Sequence, residues 1–196
     1  MDIEILCCYN RNQLTPPDIF EAKLWKLLNM DRDNREVSEY LIWYLLGIEN
    51  YRDIELVLER AENRYPQSRW PLYYRAILAG LSGEYINSLN LMKSEGIDVP
   101  MWELFYNQGI IEIALEHYSE AMILFNKSLI AISDISFLEK RDVYRSQIKT
   151  EIAKVLIKLD DVDEAIRVLN SAIELDPDNY VSDLLKSIYL NIKERE

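Results

Sequence analysis

Apolar residues along this chain recur at the three- and four-residue spacing of amphipathic α-helices. In Val162–Asn179, for example, Ala165, Leu169 and Ala172 fall on one helical face. The 196 residues contain 5 Gly and 6 Pro, too few for an architecture rich in β-turns. The pattern therefore predicts an all-α fold.

This helical pattern repeats with a period of about 34 residues. Pro66 and Pro100 are 34 residues apart, as are Tyr51 and Tyr85, and Tyr118 follows 33 residues later. Such a period is typical of stacked supersecondary units, and each unit here reads as two helices. Small residues recur where the two helices of a unit would cross closely, at Ala76, Gly109, Ala121, Ala153, Ala165 and Ala172. The predicted units are residues 35–68, 69–101, 102–136 and 146–179.

The segments outside these units are predicted to be caps and an insertion. Residues 1–34 are interpreted as a degenerate first unit with an N-cap at Thr15, and residues 1–12 as either helical or extended. The distance from Tyr118 to Val162 exceeds the period by ten residues. A helical insertion at about 136–146 accounts for this excess, within one long helix from about Ser136 to Leu159. Residues 180–196 are predicted to be a capping helix whose apolar stripe has an alternative role in self-association.

The repeated motifs resemble those of the tetratricopeptide-repeat (TPR) family, whose pattern is W-x2-L-G-x2-Y, then A-x3-F, then P. The third unit matches at Phe105, Gly109, Tyr118, Ala121 and Phe125, and the fourth at Ala165, Leu169, Ala172 and Pro177. The chain departs from the pattern at Gln108, Glu112 and Ser88, where Leu, Tyr and Ala are usual. The resemblance implies a right-handed α-solenoid of about four to five TPR-like helix hairpins plus a C-terminal capping helix.

The same resemblance implies a concave groove, lined by the first helix of each hairpin, that holds a partner segment. The family's carboxylate clamp is matched only at Asn107, so an acidic chaperone tail is not the expected partner. Aromatic and mildly acidic groove positions favour an apolar or basic peptide. Each aromatic position has an alternative place in the core between repeats. The implied groove residues are Tyr40, Trp43, Trp70, Tyr73, Tyr74, Tyr106, Asn107 and Ile110.

Charge and cysteine content limit the classes of partner and the cellular compartment that we expect for this protein. The net charge of −12 argues against binding to nucleic acid or to an anionic membrane surface. No stretch approaches the roughly 20 apolar residues of a membrane span. The acidic start of the chain differs from a secretory signal, and the adjacent Cys7 and Cys8 have no third cysteine to pair with. A cytoplasmic location is expected.

The sequence offers no catalytic or metal-binding constellation. His117 is the only histidine and falls in a predicted turn, which excludes a histidine metal cluster. The stretch GLSGEY lacks the spacing and the lysine of a phosphate loop. We therefore expect a non-enzymatic adaptor or chaperone-like module without metal or cofactor. The alternative is a structural subunit of a larger or self-associating assembly that uses the convex face, the long inserted helix or the C-terminal helix.

Overall fold

The computed structural model describes residues 17–30, 34–135 and 140–193, and these form ten α-helices and no strand. The all-α prediction is thus confirmed. Thr15, Cys7, Cys8, residues 1–12 and residues 136–139 of the predicted insertion lie outside the described residues. The helices are α1 (Pro17–Met30), α2 (Arg35–Gly47), α3 (Tyr51–Arg64), α4 (Trp70–Leu81), α5 (Tyr85–Met92), α6 (Met101–Ala114), α7 (Tyr118–Ser133), α8 (Arg141–Lys158), α9 (Val162–Leu175) and α10 (Tyr180–Lys193).

The chain divides into two compact units, Met1–Arg75 and Ala76–Glu196, and the boundary falls within α4. In the second unit, α6 with α7 and α8 with α9 form antiparallel hairpins around a core that contains Phe125, Ile148 and Leu169.

One backbone turn closes four successive helix hairpins. In the α6–α7 hairpin, the Glu116 N–H donates to Ile113 O and the His117 N–H donates to Glu112 O, both at 2.9 Å. These are the two bonds of the Schellman motif, in which one residue adopts the left-handed conformation. The equivalent bonds close the α2–α3, α4–α5 and α8–α9 hairpins. The left-handed residues are Glu49 (φ 57°), Gly83 (φ 83°), Glu116 (φ 61°) and Asp160 (φ 65°), at spacings of 34, 33 and 44 residues.

Small residues let the two helices of a hairpin approach each other. A β-carbon added to Gly109 would lie 2.7 Å from Phe125 Cε1, so only glycine leaves room for this buried ring against α6. Ala153 and Ala165 are fully buried in the α8–α9 hairpin. In the α4–α5 hairpin, Ser88 replaces the usual alanine. Its buried hydroxyl donates to Ala76 O at 2.7 Å, which satisfies the polar group.

The early end of α5 explains two further departures from the repeat pattern. This helix has only eight residues and ends at Met92. Gln108 on α6 is buried, and its Nε2 donates to Met92 O at 3.3 Å, which satisfies a carbonyl at the helix end. Glu112, one turn further along α6, lies 2.9 Å from His117 Nδ1 and 4.0 Å from Lys93 Nζ. Polar residues therefore occupy places where the family pattern has Leu and Tyr.

Two hairpins of the second unit contain the same hydrogen bond made in opposite directions. Ser128 Oγ on α7 donates to Trp102 O on α6 at 2.6 Å. Ser146 Oγ on α8 donates to Ala172 O on α9 at 2.7 Å. Ser128 and Ala172 are 44 residues apart, as are Trp102 and Ser146, so the two pairs occupy equivalent positions. The hydroxyl comes from the second helix in one hairpin and from the first helix in the other.

The helix α8 begins at Arg141, five residues later than the predicted start near Ser136. Its first turn still precedes the repeat that begins at residue 146. Tyr144 in that turn stacks on Trp102 of α6 with ring centroids 4.9 Å apart. The beginning of α8 is therefore fixed to α6 by an aromatic contact.

Candidate functional site

In the first unit, an aromatic cluster is centred on Tyr74 of α4. Tyr74 makes edge-to-face contacts with Trp43 of α2 at 6.0 Å and with Trp70 at 5.8 Å between ring centroids. Tyr73 lies 5.2 Å from the same ring. The guanidinium of Arg35 lies 5.8 Å from the Trp70 centroid. Contacts of this geometry hold aromatic rings in fixed orientations.

Trp43 is the member of this cluster that faces solvent. It is 48% exposed, while its edge-to-face partner Tyr74 is buried. On the same helix, Tyr40 is half-buried and Glu36 is exposed. Glu39 pairs with Arg35 at 3.0 Å. The face of α2 therefore presents an indole ring on an ordered support, with carboxylates nearby along the helix.

Three of the predicted groove residues are buried instead of accessible. Trp70, Tyr73 and Tyr74 are 1%, 0% and 3% exposed. The expectation that they offer their side chains to a partner is therefore wrong for this structure, since a partner could not reach them without unpacking the core. Their physical role is to support Trp43. The alternative place in the core is the correct one for these three residues.

In the second unit, the predicted residues Tyr106, Asn107 and Ile110 lie together on α6. All three are half-buried. The Tyr106 ring lies 5.9 Å from the buried ring of Phe125. Burial raises the pKa of Tyr106, and the nearby charge of Glu151 on α8 raises it further. Asn107 Nδ2 donates to Glu103 O at 3.0 Å within the helix.

Glu151 and Lys154 extend this surface from α6 to α8. The Glu151 side chain is 15% exposed, and its Oε1 accepts from Lys154 Nζ at 2.7 Å. Trp102, half-buried at the start of α6, was absent from the predicted groove set. Its stacking on Tyr144 could not be read from the sequence, because Tyr144 lies in the insertion, outside the repeat phase. We call Tyr106, Ile110 and Glu151 the α6–α8 surface.

The chemistry offered by these residues suits binding. Indole and phenol rings provide large apolar contact areas, and carboxylates attract cations. Within the described ranges, no group of three or more His, Cys, Asp or Glu is arranged to hold a metal ion. Over the same ranges, no helix is long and apolar enough to cross a bilayer.

The comparisons with known proteins agree on the fold. The tetratricopeptide repeat family model matches residues 146–179, the same residues as the fourth predicted repeat. A thermophilic TPR protein from Thermus thermophilus, TTC0263, aligns with a TM-score of 0.71 at 14% identity, covering 92% of this chain and 94% of that chain. A tetratricopeptide repeat protein from Parabacteroides merdae gives a TM-score of 0.58 at 18% identity, covering 98% and 72%.

A chain of the APC/C hetero-tetramer Cut9–Hcn1 gives a TM-score of 0.68 at 14% identity, covering 89% of this chain but 33% of that chain. A comparison with curated proteins finds no match. At these identities the structural likenesses establish the fold. The chain therefore contains one tetratricopeptide repeat recognisable in sequence, at residues 146–179, and shares its fold of helix hairpins with solved tetratricopeptide-repeat proteins.

Proposed function

We propose that this protein is a non-enzymatic adaptor or chaperone-like module that holds an apolar or basic segment of a partner protein. The observation that carries the proposal is the 48% exposure of Trp43 above a buried aromatic cluster. Tryptophan on an ordered support is a residue type that dominates binding energy at protein interfaces. Its ring loses little conformational entropy on binding, because its neighbours already hold it. The proposed place of action is the cytoplasm.

The charge of the surrounding residues supports a basic partner. Glu36 is exposed on the same helix as Trp43, whereas the Glu39 carboxylate already pairs with Arg35. A lysine or arginine of the partner could lie over the indole face and gain about 0.5–2 kcal/mol from the cation–π interaction. The net charge of −12 attracts such a segment before contact.

The test uses fluorescein-labelled twelve-residue peptides of three compositions, Arg/Leu, Glu/Leu and Ser/Gly, with fluorescence anisotropy as the readout. We expect the Arg/Leu peptide to bind best and Trp43→Ala to weaken it by about 30-fold, since truncation of an interface hot spot costs about 2 kcal/mol or more. Tyr51→Ala is the matched control. Tyr51 lies in the same unit on α3 and is 43% exposed, so its substitution should change the affinity less than twofold.

An equal effect of both substitutions on Arg/Leu binding, or a loss of Glu/Leu binding in Trp43→Ala larger than the loss of Arg/Leu binding, would contradict the proposal. Circular dichroism of both variants should match that of the wild-type protein, because both side chains are largely on the surface. Tyr73→Ala would not serve as a test. This fully buried side chain contributes about 3–5 kcal/mol to stability, so its loss would unfold the site.

The alternative function, a self-associating structural subunit, is favoured by one feature of α10. Tyr180 and Leu184 are one helical turn apart and are 76% and 56% exposed. Light scattering at increasing protein concentration would detect association. The alternative predicts that the mass rises with concentration for the wild-type protein and not for Tyr180→Ser/Leu184→Ser. A constant monomeric mass for both would exclude it.

A further inference from the structure

The beginning of α8 concentrates positive charge in an acidic protein. Residues 140–149 contain Lys140, Arg141, Arg145 and Lys149 against a single acid, Asp142, whereas the whole chain carries a net charge of −12. Arg141, Arg145 and Lys149 recur every four residues, so they form a stripe along one side of the helix. We call these three cations the α8 basic stripe.

The helix dipole does not account for this stripe. The positive end of the dipole favours acidic residues in the first turn, where Arg141 costs a few tenths of a kcal/mol. Asp142 is shared between two arginines, with its Oδ1 3.1 Å from Arg145 Nη1 and 3.6 Å from Arg141 Nε. One carboxylate therefore faces two guanidinium groups, and a positive excess remains.

The hydrogen bonding of the two arginines is incomplete. Among the described residues, Arg141 Nε and Arg145 Nε are buried and have no hydrogen-bond partner. A buried donor without a partner costs about 1–3 kcal/mol. Both side chains remain about one third exposed, at 37% and 31%. Neither arginine therefore makes the side-by-side pair of bonds, from Nε and Nη to one carboxylate, that arginine prefers.

The stripe also stands on an ordered part of the second unit. Tyr144, between the arginines in the sequence, stacks on Trp102 of α6 with 32° between the ring planes. Ile148 is buried in the core on the same helix. The helix that carries the cations is therefore packed against α6 and the core. The first turn of α8 belongs to the insertion. It therefore lies outside the repeat and is not required to close a hairpin.

We infer that the α8 basic stripe docks an acidic segment of a partner protein, through carboxylates that engage Arg141 and Arg145. The stripe thus suits an acidic segment, whereas the aromatic residues around Trp43 suit an apolar or basic segment. An acidic protein segment supplies planar carboxylates of the kind that pair with guanidinium groups. The inference does not depend on the function proposed above.

The test uses the full chain and a fluorescein-labelled peptide of alternating Glu and Ser, with anisotropy measured at about 50 mM and about 300 mM salt. We expect Arg141→Gln/Arg145→Gln to weaken binding at least tenfold at the lower salt, and the higher salt to weaken wild-type binding because it screens charges. The matched control is Lys158→Gln/Arg167→Gln, which removes the same number of charges from the opposite end of the α8–α9 hairpin. It should change the affinity less than twofold.

Three results would overturn the inference. They are no binding of the acidic peptide by the wild-type protein, equal losses in the two double variants, or tighter binding of heparin than of the peptide through the same arginines. The last would assign the stripe to a polyanion such as nucleic acid. Thermal unfolding separates these results from misfolding, because Arg141→Gln/Arg145→Gln should unfold within a few degrees of the wild-type protein. Trp43→Ala should leave acidic-peptide binding unchanged.

Discussion

Glu49, Glu116 and Asp160 have φ angles of 57–65°, a backbone conformation that costs an L-residue about 1–2 kcal/mol. Gly83 occupies the equivalent turn of the α4–α5 hairpin without this cost. The Schellman hydrogen bonds hold the acidic residues in this conformation, because the turn satisfies carbonyls at the end of the first helix. At three turns the chain thus retains a side chain where glycine would be less strained.

Replacing Glu116 by Gly should stabilise the protein by about 1 kcal/mol, because it removes the left-handed strain while leaving the turn bonds intact. Chemical denaturation measures the change in the free energy of unfolding. The control is Glu120→Gly, at an exposed position inside α7, which should destabilise by about 0.5–1 kcal/mol. Destabilisation by Glu116→Gly would show that the Glu116 side chain makes a contribution larger than the strain.

The sequence predicts the repeat positions of the site residues but not how exposed their side chains are. The repeat position of Tyr73 and Tyr74 identified them as groove candidates, as it did Trp43. Exposure depends on which neighbouring rings fill the space, and Tyr74 is enclosed by Trp43, Trp70 and Tyr73. The aromatic letters alone do not distinguish the exposed ring from the three that support it.

At the scale of elements, α10 is tied to α8 by a buried polar network. Asn179 Nδ2 donates to Ser146 Oγ at 2.7 Å and to Thr150 Oγ1 at 3.0 Å. Asn179 Oδ1 accepts from the Ser182 N–H at 3.1 Å, as an N-cap does. Thr150 Oγ1 lies 2.6 Å from Ser182 Oγ. One asparagine thus begins α10 and joins it to the preceding hairpin.

Asn179→Ala should therefore destabilise the docking of α10 by about 1–3 kcal/mol, because it removes a cap and leaves buried hydroxyls with fewer partners. Hydrogen exchange of the α10 amides should accelerate, while that of the α6 amides should change little. Asp178→Ala, at the adjacent exposed residue, is the control and should leave α10 protected. Equal acceleration in α6 would indicate global unfolding and contradict this local role.

A second contact between elements joins α3 to the middle of α4, at Arg75. Arg75 donates through Nε and Nη2 to the two oxygens of Glu62, at 2.6 and 2.9 Å, and through Nη1 to Glu55 at 2.5 Å. Hydrogen bonds from Arg75 lower the pKa of Glu62, partial burial opposes this, and the arginine charge adds to the lowering. The paired carboxylate is stabilised in its ionised form.

This shift gives a pH dependence with a defined sign. The folded pKa of Glu62 lies below its ordinary value of 4.5, so its contribution to stability is present above about pH 4.5 and is lost as the pH falls through the lowered pKa. Glu62→Gln should cost less than about 1 kcal/mol at neutral pH, since the pair is partly exposed. Denaturation at several pH values should show the difference from wild type shrinking in acid. A difference that grows in acid would contradict the assignment.

The periodicity predicted the existence of the helices better than their ends. The hairpins follow the spacing of small and apolar residues, because helix crossing requires Gly109 and its equivalents. At the end of α5, Met92 O accepts from Gln108, a tertiary contact that the local pattern does not reveal. Likewise, the stacking of Tyr144 on Trp102 is invisible in the sequence of α8.

At the scale of the molecule, a net charge of −12 sets a self-repulsion that opposes the compact state. The screening length falls from about 30 Å at 0.01 M salt to about 8 Å at 0.15 M. We expect Tm to rise by a few degrees over this range. Salt screens both the repulsion between like charges and the attraction within exposed ion pairs, and the attraction is the smaller of the two. Differential scanning calorimetry measures the shift.

A variant with two exposed carboxylates neutralised, Glu59→Gln/Glu95→Gln, is the control for this salt effect. Both side chains lie on the surface, and removing their two negative charges lowers the repulsion before salt is added. The Tm of the variant should therefore rise less with added salt than the Tm of the wild-type protein. A Tm that falls with salt in the wild-type protein would show that attractive pairs outweigh the net repulsion.

The serine bond that Ser128 makes from α7 and Ser146 makes from α8 bears on how repeats of one fold can differ in sequence. At both places a hydroxyl on one helix reaches a carbonyl on the other, whichever helix supplies it. Two repeats can therefore differ at both positions of the pair and still keep the same contact across the hairpin.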